Sequence, residues 1–438
     1  MQQALTAGFT DCEVYYAKSR HFGVTILEGE VSDYENSDLQ GVCFRGTYAG
    51  RTGYAYTERL HESDITALVA QAKENAALLP TTEREFLYHT PKTYPTLSIC
   101  SDSLESLTPE EKIQAAKRME CAALQAAQEK SCITSIDHCT LSTDFSEIAI
   151  ANSYGLSVSF TKQFATAYVC AIAKNGTEVK TGADFWKGNQ WEQFNPIIIG
   201  QTAAQRAASY LGAKAIPAGR YAVVLDGSVM AALLGVYANI FFADRVQQGF
   251  SLLGEKKQIA APCVTLSDLP LLPNGYASTP FDSEGVACYN KTIIDKGVLQ
   301  TLLYNCKSAA KDGVASTGNG FKAQLMAPIQ TAVTNFHLSA GSRTQAQLLQ
   351  DMAEGVYITE VSGLHAGANT ISGDFSLSAE GFYIQNGVKT FPVEQITIAG
   401  NFYTLLQTIT EVANDTYISL RGIGAPSVRI ESMDIAGT

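Results

Sequence analysis

Residues 221–268 read YAVVLDGSVMAALLGVYANIFFADRVQQGFSLLGEKKQIAAPCVTLSD, and this stretch organises the second half of the chain. The apolar run from Tyr221 to Leu225 predicts a strand, and a second strand is expected around Val264 to Leu266. Between them, small and apolar residues predict a helix from Ser228 to about Asp244, with Ser228 as its N-cap. This predicted helix contains no His, Glu or Cys. A zinc site built on one helix face needs such ligands, so the helix is predicted to hold no metal.

Composition limits the classes of function. The chain has 438 residues, of which 46% are hydrophobic and 17% charged, as expected for a globular protein with more than one domain. A formal net charge of -12 argues against a surface that neutralises nucleic-acid phosphates. We find no apolar stretch near the roughly 20 residues that cross a bilayer, and no signal-peptide pattern at the N-terminus. We therefore expect a cytoplasmic protein that binds neither nucleic acid nor membrane.

Metal-ligand patterns are sparse. The ten cysteines include no Cys-x-x-Cys pair, and in a reducing compartment such residues behave as small buried hydrophobes. No two of the six histidines lie four residues apart, which excludes a zinc site of that spacing on one helix face. A site assembled from distant His, Asp and Glu residues stays open. On this basis we assign no catalytic residue, no metal ligand and no cofactor to the chain.

The first half predicts an antiparallel sheet covered by helices. Short alternating runs between residues 12 and 57 predict a meander, and strands return from about residue 133 to 185. Helical spacing predicts a helix from Ser63 or Asp64 to Pro80, a second from a Thr108 capping box to about Lys130, and a third that opens at Asn195-Pro196. Residues 80–106 are predicted to connect the first two helices. The resulting fold class is α+β, with an N-terminal antiparallel sheet and helices on one face.

The second half is predicted to be rich in strands. Residues 214–220, with Pro217 and Gly219, mark the predicted boundary between an N-terminal domain (1–215) and a C-terminal domain (216–438). Hairpin turns are expected at Lys296-Gly297 and at Asn386-Gly387. Two helical interruptions are expected, at about residues 344–352 and 402–412. The C-terminal domain is therefore predicted to be β-rich and barrel-like, and to contain the metal-less helix described above.

One loop is the candidate binding region. Residues 363–376 read GLHAGANTISGDFS and combine three glycines with His365 and Asp374. A glycine-rich loop lets backbone amides approach a ligand closely, but the same glycines are equally typical of a tight structural turn. Both interpretations stay open from the sequence. We hypothesise that His365, Gly373, Asp374 and Phe375 line a groove for a substrate or a partner chain.

Several sequence blocks together resemble the TldD/PmbA family over nearly the whole chain. The first is Gly41-Val42 through Gly50-Arg51-Thr52-Gly53, and the middle ones are Leu252-Leu253-Gly254-Glu255 and Val264-Thr265-Leu266-Ser267-Asp268. The C-terminal blocks are Gly363-Leu364-His365, Gly373-Asp374-Phe375-Ser376, residues 380–387 (EGFYIQNG), Thr397-Ile398-Ala399-Gly400-Asn401 and Gly422-Ile423-Gly424-Ala425-Pro426. The apolar helix makes the chain most similar to the PmbA branch, also called TldE.

The resemblance implies a cytoplasmic proteolytic system in which a zinc-bearing TldD subunit pairs with a TldE subunit around an enclosed groove. In the TldD branch, zinc is held by a His-Glu-x-x-x-His motif on the signature helix and by a cysteine near the C-terminus. Here the helix has no His, and residues 414–438 contain no Cys. Metal-assisted hydrolysis needs ligands for the ion and a carboxylate that activates its water. The resemblance therefore implies that zinc is bound by a partner and not by this chain.

We accordingly expect a non-catalytic subunit of a TldD-type zinc metallopeptidase complex that degrades or matures peptides. The partner would be a TldD-like subunit or a second copy of this chain, and the substrate a peptide held along the sheet edges of the β-rich domain. Two alternatives remain open. The chain could be a metal-dependent peptidase that acts alone through unrecognised ligands, or a homodimeric binding or scaffold protein.

Overall fold

The computed structural model describes residues 1–78, 87–89, 93–126, 132–254 and 257–438. The fold is α+β, as predicted, with 25% helix and 45% strand. The first half forms a six-stranded antiparallel sheet in the order β3-β2-β1-β4-β5-β6. Its strands are β1 (Phe9–Leu27), β2 (Glu30–Tyr48), β3 (Arg51–Thr57), β4 (Ile133–Asn152), β5 (Ser157–Asn175) and β6 (Glu178–Gly188).

Helices cover one face of this sheet. The first-half helices are α1 (Gln2–Thr6), α2 (Glu62–Leu78), α3 (Asp102–Glu105), α4 (Pro109–Gln125) and α5 (Pro196–Ser209), with a 3-10 turn at Trp191–Gln193. Val24, Leu141 and Ala167 lie side by side on adjacent strands and share a core with α4 and α5. Residues Val14 and Phe44, also on this face, pack against α2. The prediction of a helical layer on one face is therefore confirmed.

The opposite face of the first sheet meets the second half of the chain. Alternation along a strand sends Tyr15 and its cross-strand neighbour Cys43 to this face. Both belong to a buried cluster with Ile150 and Phe281, and Leu325 packs against its border. The first sheet thus lies between its own helices and the C-terminal segments.

The second half forms a ten-stranded sheet and a small two-stranded one, β11–β12. The ten-stranded sheet runs in the order β10-β9-β8-β13-β18-β16-β15-β14-β7, with β17 paired to β18. Strand β18 pairs with β7 as well as with β16, so the pairings trace a closed circuit β7-β14-β15-β16-β18-β7. The barrel-like shape expected for this half stays a prediction.

The bounds of these strands are β7 (Gly219–Leu225), β8 (Leu266–Asp268), β9 (Lys291–Asp295), β10 (Val298–Leu299), β11 (Gly320–Lys322), β12 (Ile329–Thr331), β13 (Phe336–Leu338), β14 (Glu354–Ser362), β15 (Asp374–Gln385), β16 (Val388–Asn401), β17 (Ile409–Ile418) and β18 (Ile423–Ala436). The helices are α6 (Gly227–Tyr237), α7 (Ala243–Gln247), α8 (Cys306–Asp312), α9 (Gln345–Gln350), α10 (Leu364–Gly367) and α11 (Phe402–Thr408), with a 3-10 turn at Ala238–Phe241. The largest core cluster surrounds α6 and joins it to strands from both ends of this half.

Capping and turn residues in the sequence predicted the position of many elements correctly. Thr108 and Glu111 form the predicted capping box at the start of α4, and Asn195 caps α5. The two predicted hairpins are present, with Asn386 and Gly387 both at positive φ, as a tight two-residue turn requires. Such features depend on a few neighbouring residues, which explains why the sequence alone reveals them.

Other predicted bounds were wrong. The cap of the signature helix is Asp226, whose side chain accepts a hydrogen bond from the Ser228 backbone amide at 2.9 Å, and not Ser228 itself. The predicted single helix to Asp244 ends at Tyr237 and continues as a 3-10 turn and then α7. The helix expected over residues 402–412 ends at Thr408, because β17 begins at Ile409 and pairs with β18.

The strand predicted around Val264 to Leu266 lies at Leu266–Asp268, where it pairs with β9 and β13. The short runs predicted between residues 12 and 57 merge into long strands, and β1 alone spans 19 residues. Part of the predicted connection 80–106 is helical, since α3 occupies Asp102–Glu105.

Several predicted features lie outside the described residues: the end of the first helix at Pro80, part of the connection 80–106, the end of the second helix near Lys130, and Glu255 of the family block 252–255. The six-stranded sheet ends at Gly188 and the ten-stranded sheet begins at Gly219, and the domain division at 215 stays a prediction. No helix in the described parts of the chain combines the length and apolar character that a membrane span requires.

The close approach of α5 to β6 provides a test of the packing. A Cβ atom added at Gly182 would lie 2.1 Å from the backbone nitrogen of Ala207, which cannot move without shifting the helix. We expect Gly182→Ala to lower the free energy of unfolding by about 1–3 kcal/mol, the usual cost of overpacking. Urea titration followed by circular dichroism measures this loss.

Gly235→Ala is the matched control, because a Cβ there meets its nearest neighbour, Ile423, at an ordinary 3.7 Å. Alanine favours a helix more than glycine does, so this variant should be neutral or more stable by up to about 1 kcal/mol. Equal losses in the two variants would contradict the described helix position.

Candidate functional site

The signature helix α6 is filled by packed apolar side chains. Its buried residues are Gly227, Val229, Met230, Ala231, Leu233, Leu234 and Tyr237. Tyr237 at its end is fully buried and stacks on Phe402, with 4.5 Å between ring centroids and an interplanar angle of 10°. Its hydroxyl donates a hydrogen bond to the backbone oxygen of Asp374 at 2.8 Å. The helix is thereby attached directly to the predicted candidate loop.

The three glycines of that loop are required by the backbone. Gly363 and Gly373 have φ angles of +84° and +85°, which other residues rarely adopt. At Gly367 a Cβ atom would lie 2.2 Å from the backbone oxygen of Ser376. The loop turns back on its own strand, and Ala368 forms an isolated bridge with Phe375. These observations support the structural-turn interpretation of the glycines.

The four predicted groove residues fall into two pairs. His365, in the short helix α10, and Asp374, at the start of β15, are exposed. Gly373 is buried, and Phe375 is only 4% exposed because its ring packs in the core against Gly400. Phe375 therefore supports the loop from within, whereas His365 and Asp374 present polar groups to the surface. The assignment of these residues to a groove stays a prediction.

Asp374 is held by neighbouring donors. Its Oδ1 atom accepts a hydrogen bond from Asn401 Nδ2 at 2.8 Å, and its backbone amide donates to Ser372 Oγ at 3.3 Å. The Asn401 amide and then Ser372 hold the pKa of the Asp374 carboxyl below its ordinary value of 3.8. Asn401 also caps α11, with its Oδ1 atom accepting from the Tyr403 amide at 3.1 Å. One asparagine thus fixes both the loop and the next helix.

Exposed apolar side chains flank the same loop. Ile371 within the loop is 47% exposed and Leu252 is 52% exposed. The backbone amide of Leu252 donates to the hydroxyl of Tyr403 at 3.1 Å, and the Tyr403 ring lies against Gly373. We call His365, Ile371, Asp374 and Leu252 the loop surface.

The described residues contain no group of three or more His, Cys, Asp or Glu side chains placed to hold a metal ion. His337 lies half-buried in β13, where burial lowers its pKa, and its Nε2 atom has no hydrogen-bond partner in the described part of the chain. Residues Gly227–Tyr237 of helix α6 include no imidazole and no carboxylate side chain.

A second group of charges lies where the first sheet meets the C-terminal segments. Arg45 Nε and Glu13 Oε1, which face each other on β1 and β2, form a buried ion pair at 2.8 Å. Asp282 is 1% exposed and accepts hydrogen bonds from the backbone amides of Glu284, Val286 and Gly320 at 2.9 to 3.0 Å. Burial, followed by the nearby Glu284 carboxylate, raises the Asp282 pKa well above its ordinary value.

Sequence reasoning missed the residues that hold these regions together. In the sequence, Tyr237 resembles the other apolar residues of the predicted helix. In the structure, its hydroxyl is hydrogen-bonded to Asp374, which lies 137 residues further along the chain. Asn401 was noted only as part of a family block, although an asparagine directly before a predicted helix is a recognisable N-cap signal. Asp282 and Glu284 carry no local pattern that distinguishes a buried carboxylate from a surface one.

The chain matches known protein families and structures over nearly its whole length. Models of the PmbA/TldA metallopeptidase domain 1, central domain and C-terminal domain match residues 12–76, 102–211 and 218–437. Metalloprotease PmbA of Escherichia coli O157:H7 is 28% identical over 444 residues, an alignment that covers 99% of this chain and 94% of that protein.

Two solved structures share the fold. A Thermotoga maritima MSB8 protein, described as a candidate modulator of a DNA gyrase, is 32% identical with a TM-score of 0.89, and the match covers 97% of this chain and 96% of that one. TldE from Thermococcus kodakarensis has a TM-score of 0.90 at 21% identity, with 98% of this chain and 97% of that one covered. At that identity, the second similarity concerns the fold alone.

The link between α6 and the loop can be tested with Tyr237→Phe. This variant keeps the stacked ring but removes the hydrogen bond to Asp374. We expect the free energy of unfolding to fall by about 0.5–1.5 kcal/mol. Amide hydrogen exchange should become faster in peptides that span residues 363–375. Tyr221→Phe, which removes an exposed hydroxyl bonded to Pro217 instead, should leave exchange in this loop unchanged.

The environment of Asp374 predicts a pH dependence. Because its folded pKa lies below the unfolded value, the carboxylate contributes stability above pH 3.8 and loses it as the pH falls through the folded pKa. NMR titration of a labelled Asp374 carboxyl group should therefore give a midpoint below 3.8. Asn401→Asp keeps an N-cap acceptor but replaces the donor by a like charge, so the midpoint should rise above the wild-type value. An unchanged midpoint would contradict the hydrogen bond.

Proposed function

The chain belongs to the PmbA/TldD metallopeptidase family, and from this premise we propose that it is a non-catalytic subunit of a TldD-type zinc metallopeptidase complex. The observation that carries the proposal is the composition and burial of helix α6. In the TldD branch, the resemblance places zinc-binding histidines and a glutamate on this helix. Here Leu233, Leu234 and Tyr237 are each at most 1% exposed and belong to the main core.

A buried apolar helix contributes packing and no metal ligand. Burying a charged or polar group costs free energy unless a partner compensates it, whereas apolar side chains are stabilised by the same burial. Helix α6 therefore acts as a packing element, and its role in a peptidase would be to support the surface around it. The catalytic ion and the carboxylate that activates water would come from the partner.

We propose that the loop surface contacts that partner or its peptide substrate. Tyr237 connects helix α6 to the loop, Asn401 fixes the Asp374 carboxylate, and Tyr403 supports Gly373 from behind. These contacts hold the exposed His365 and Asp374 on a supported backbone. A TldD-like chain is the expected partner, and an extended peptide would be bound by strand addition to sheet edges of the C-terminal half.

The cysteines support a location in the reducing cytoplasm. All ten are free thiols, five of them buried. Free buried cysteines behave as small apolar residues and are typical of compartments that keep thiols reduced.

The first experiment compares the purified chain alone with the chain mixed with a TldD-type subunit that carries the His-Glu-x-x-x-His motif. We expect no stoichiometric zinc by elemental analysis and no peptide hydrolysis for the chain alone. Hydrolysis that a chelator abolishes should appear with the mixture. The double variant His365→Ala/Asp374→Ala should weaken binding to the partner and lower the activity of the mixture by roughly ten-fold, as expected for the loss of polar interface contacts.

A matched control is Lys174→Ala/Glu192→Ala, which changes two exposed residues in the first half of the chain.

Chelator-sensitive hydrolysis by the chain alone would instead establish an independent peptidase. A stable homodimer that does not bind the TldD-type subunit would establish a binding or scaffold role. Unchanged partner binding and activity in the double variant would remove the loop surface from the proposal while leaving the subunit role in place.

A further inference from the structure

A cavity of about 230 Å³ lies between the first sheet and the C-terminal segments, apart from the loop surface. Its floor is the sheet face opposite the helices. Ser146 and Lys162 face each other across β4 and β5, and Ile148 and Phe160 form the next pair along the same two strands. Its roof comes from residues 276–283, 321–322 and 333–334. The cavity has room for several water molecules, and we take an amino acid or a very short peptide as the size of ligand that it could accept.

Among the charged residues that line the cavity, Lys162 makes the fewest hydrogen bonds within the described part of the chain. Within the described residues, its Nζ atom makes one hydrogen bond, to the backbone oxygen of Tyr276 at 3.4 Å, and no ion pair. A lysine ammonium has three donors, so two remain available. Lys162 is half-buried, and burial lowers its pKa because partial loss of hydration costs the charged form free energy. An anion in the cavity would offset that cost.

The carboxylates nearby are already engaged. Asp282, which also lines the cavity, accepts three backbone hydrogen bonds, and its raised pKa favours the neutral form. Asp144 lies two residues before Ser146 on the same face and is hydrogen-bonded to His21 at 2.7 Å. Lys187 adds a second cation that faces the ring of Tyr276, next to Lys162. The Asp144 carboxylate also acts electrostatically on Lys187, so it compensates only one of these two ammonium groups.

The rest of the cavity lining favours a ligand with an apolar side chain. Six apolar side chains surround the cavity: Ile148, Phe160, Ala277, Phe281, Phe321 and Val333. The second cavity lysine, Lys322, is occupied by the backbone oxygen of Ala327 at 3.0 Å and by the hydroxyl of Tyr54. A ligand that fits would thus place one negative group at Lys162 and an apolar side chain against these six residues.

We infer that this cavity binds the carboxylate of an amino-acid-sized ligand with an apolar side chain, with Lys162 as the anion-binding residue. Two sources share this chemistry, a free amino acid and the C-terminal residue of a short peptide. The inference goes beyond the proposed subunit role, and its test needs no partner chain. It therefore stands or fails separately from that role.

The test is isothermal titration calorimetry on the full-length chain with three probes: L-leucine, glycyl-L-leucine and glycyl-L-leucinamide. We expect saturable binding of at least one acid and at least roughly ten-fold weaker binding of the amide, since a charge-assisted hydrogen bond is lost. Tighter binding of leucine identifies a free amino acid as the ligand source, and tighter binding of the dipeptide identifies a peptide terminus. Equal affinity for the acid and its amide, or no saturable binding of either acid, would overturn the inference.

Variants locate the binding. Lys162→Met keeps an unbranched side chain of similar length but removes its charge, and it should weaken binding of the preferred acid at least ~10-fold. Lys162→Arg keeps the charge and should retain most of the affinity. Lys174→Met changes an exposed lysine on the same strand and should bind like wild type. Wild-type affinity in a folded Lys162→Met protein would overturn the assignment; if that variant does not fold, the acid and amide comparison on wild type decides.

Discussion

The close packing of helix α6 against strand β18 is the constraint on which the second half of the structure depends. At the start of the helix, a Cβ atom on Gly227 would lie 2.6 Å from the backbone oxygen of Ala425, so only glycine permits this approach. The later turns of the helix bury their apolar side chains among strands from both ends of the second half of the chain. Polar groups are confined to the two ends, where Asp226 caps the helix and Tyr237 reaches the candidate loop. Through Tyr237, the packed helix is connected to the candidate loop.

Buried charges fix how the polar interior is arranged. Asp268 is fully buried, and its carboxylate accepts hydrogen bonds from Lys291 at 3.1 Å, Asn319 at 2.8 Å and Thr334 at 2.6 to 2.7 Å. Removing one member of such a network leaves an uncompensated polar group, which makes the arrangement specific even where its net stabilisation is small. The Glu13 and Arg45 pair has the same character at the junction of the two halves. The cavity beside that junction differs because Lys162 lacks a carboxylate partner in the described residues.

Features governed by a few adjacent residues could be predicted. The α4 capping box, the cap at Asn195 and the Asn386-Gly387 hairpin follow from local hydrogen bonding and backbone preference, and each was placed correctly. Predictions were wrong where distant strands decided the outcome. Helix α11 ends at Thr408 because the next residues pair with β18, and the long strands β1 and β2 continue across polar residues because they pair with each other.

By itself, the sequence determined the fold class, most elements, the family and the apolar character of the signature helix, since all of these are recorded in periodicity, caps and motifs. It also identified His365 and Asp374 within a glycine-rich loop. Only the tertiary structure decided that Phe375 is buried, that Tyr237 joins the helix to Asp374, and that Lys162 faces a cavity. The physical reason is that burial and charge compensation depend on contacts between residues far apart in the chain. No local pattern specifies such contacts.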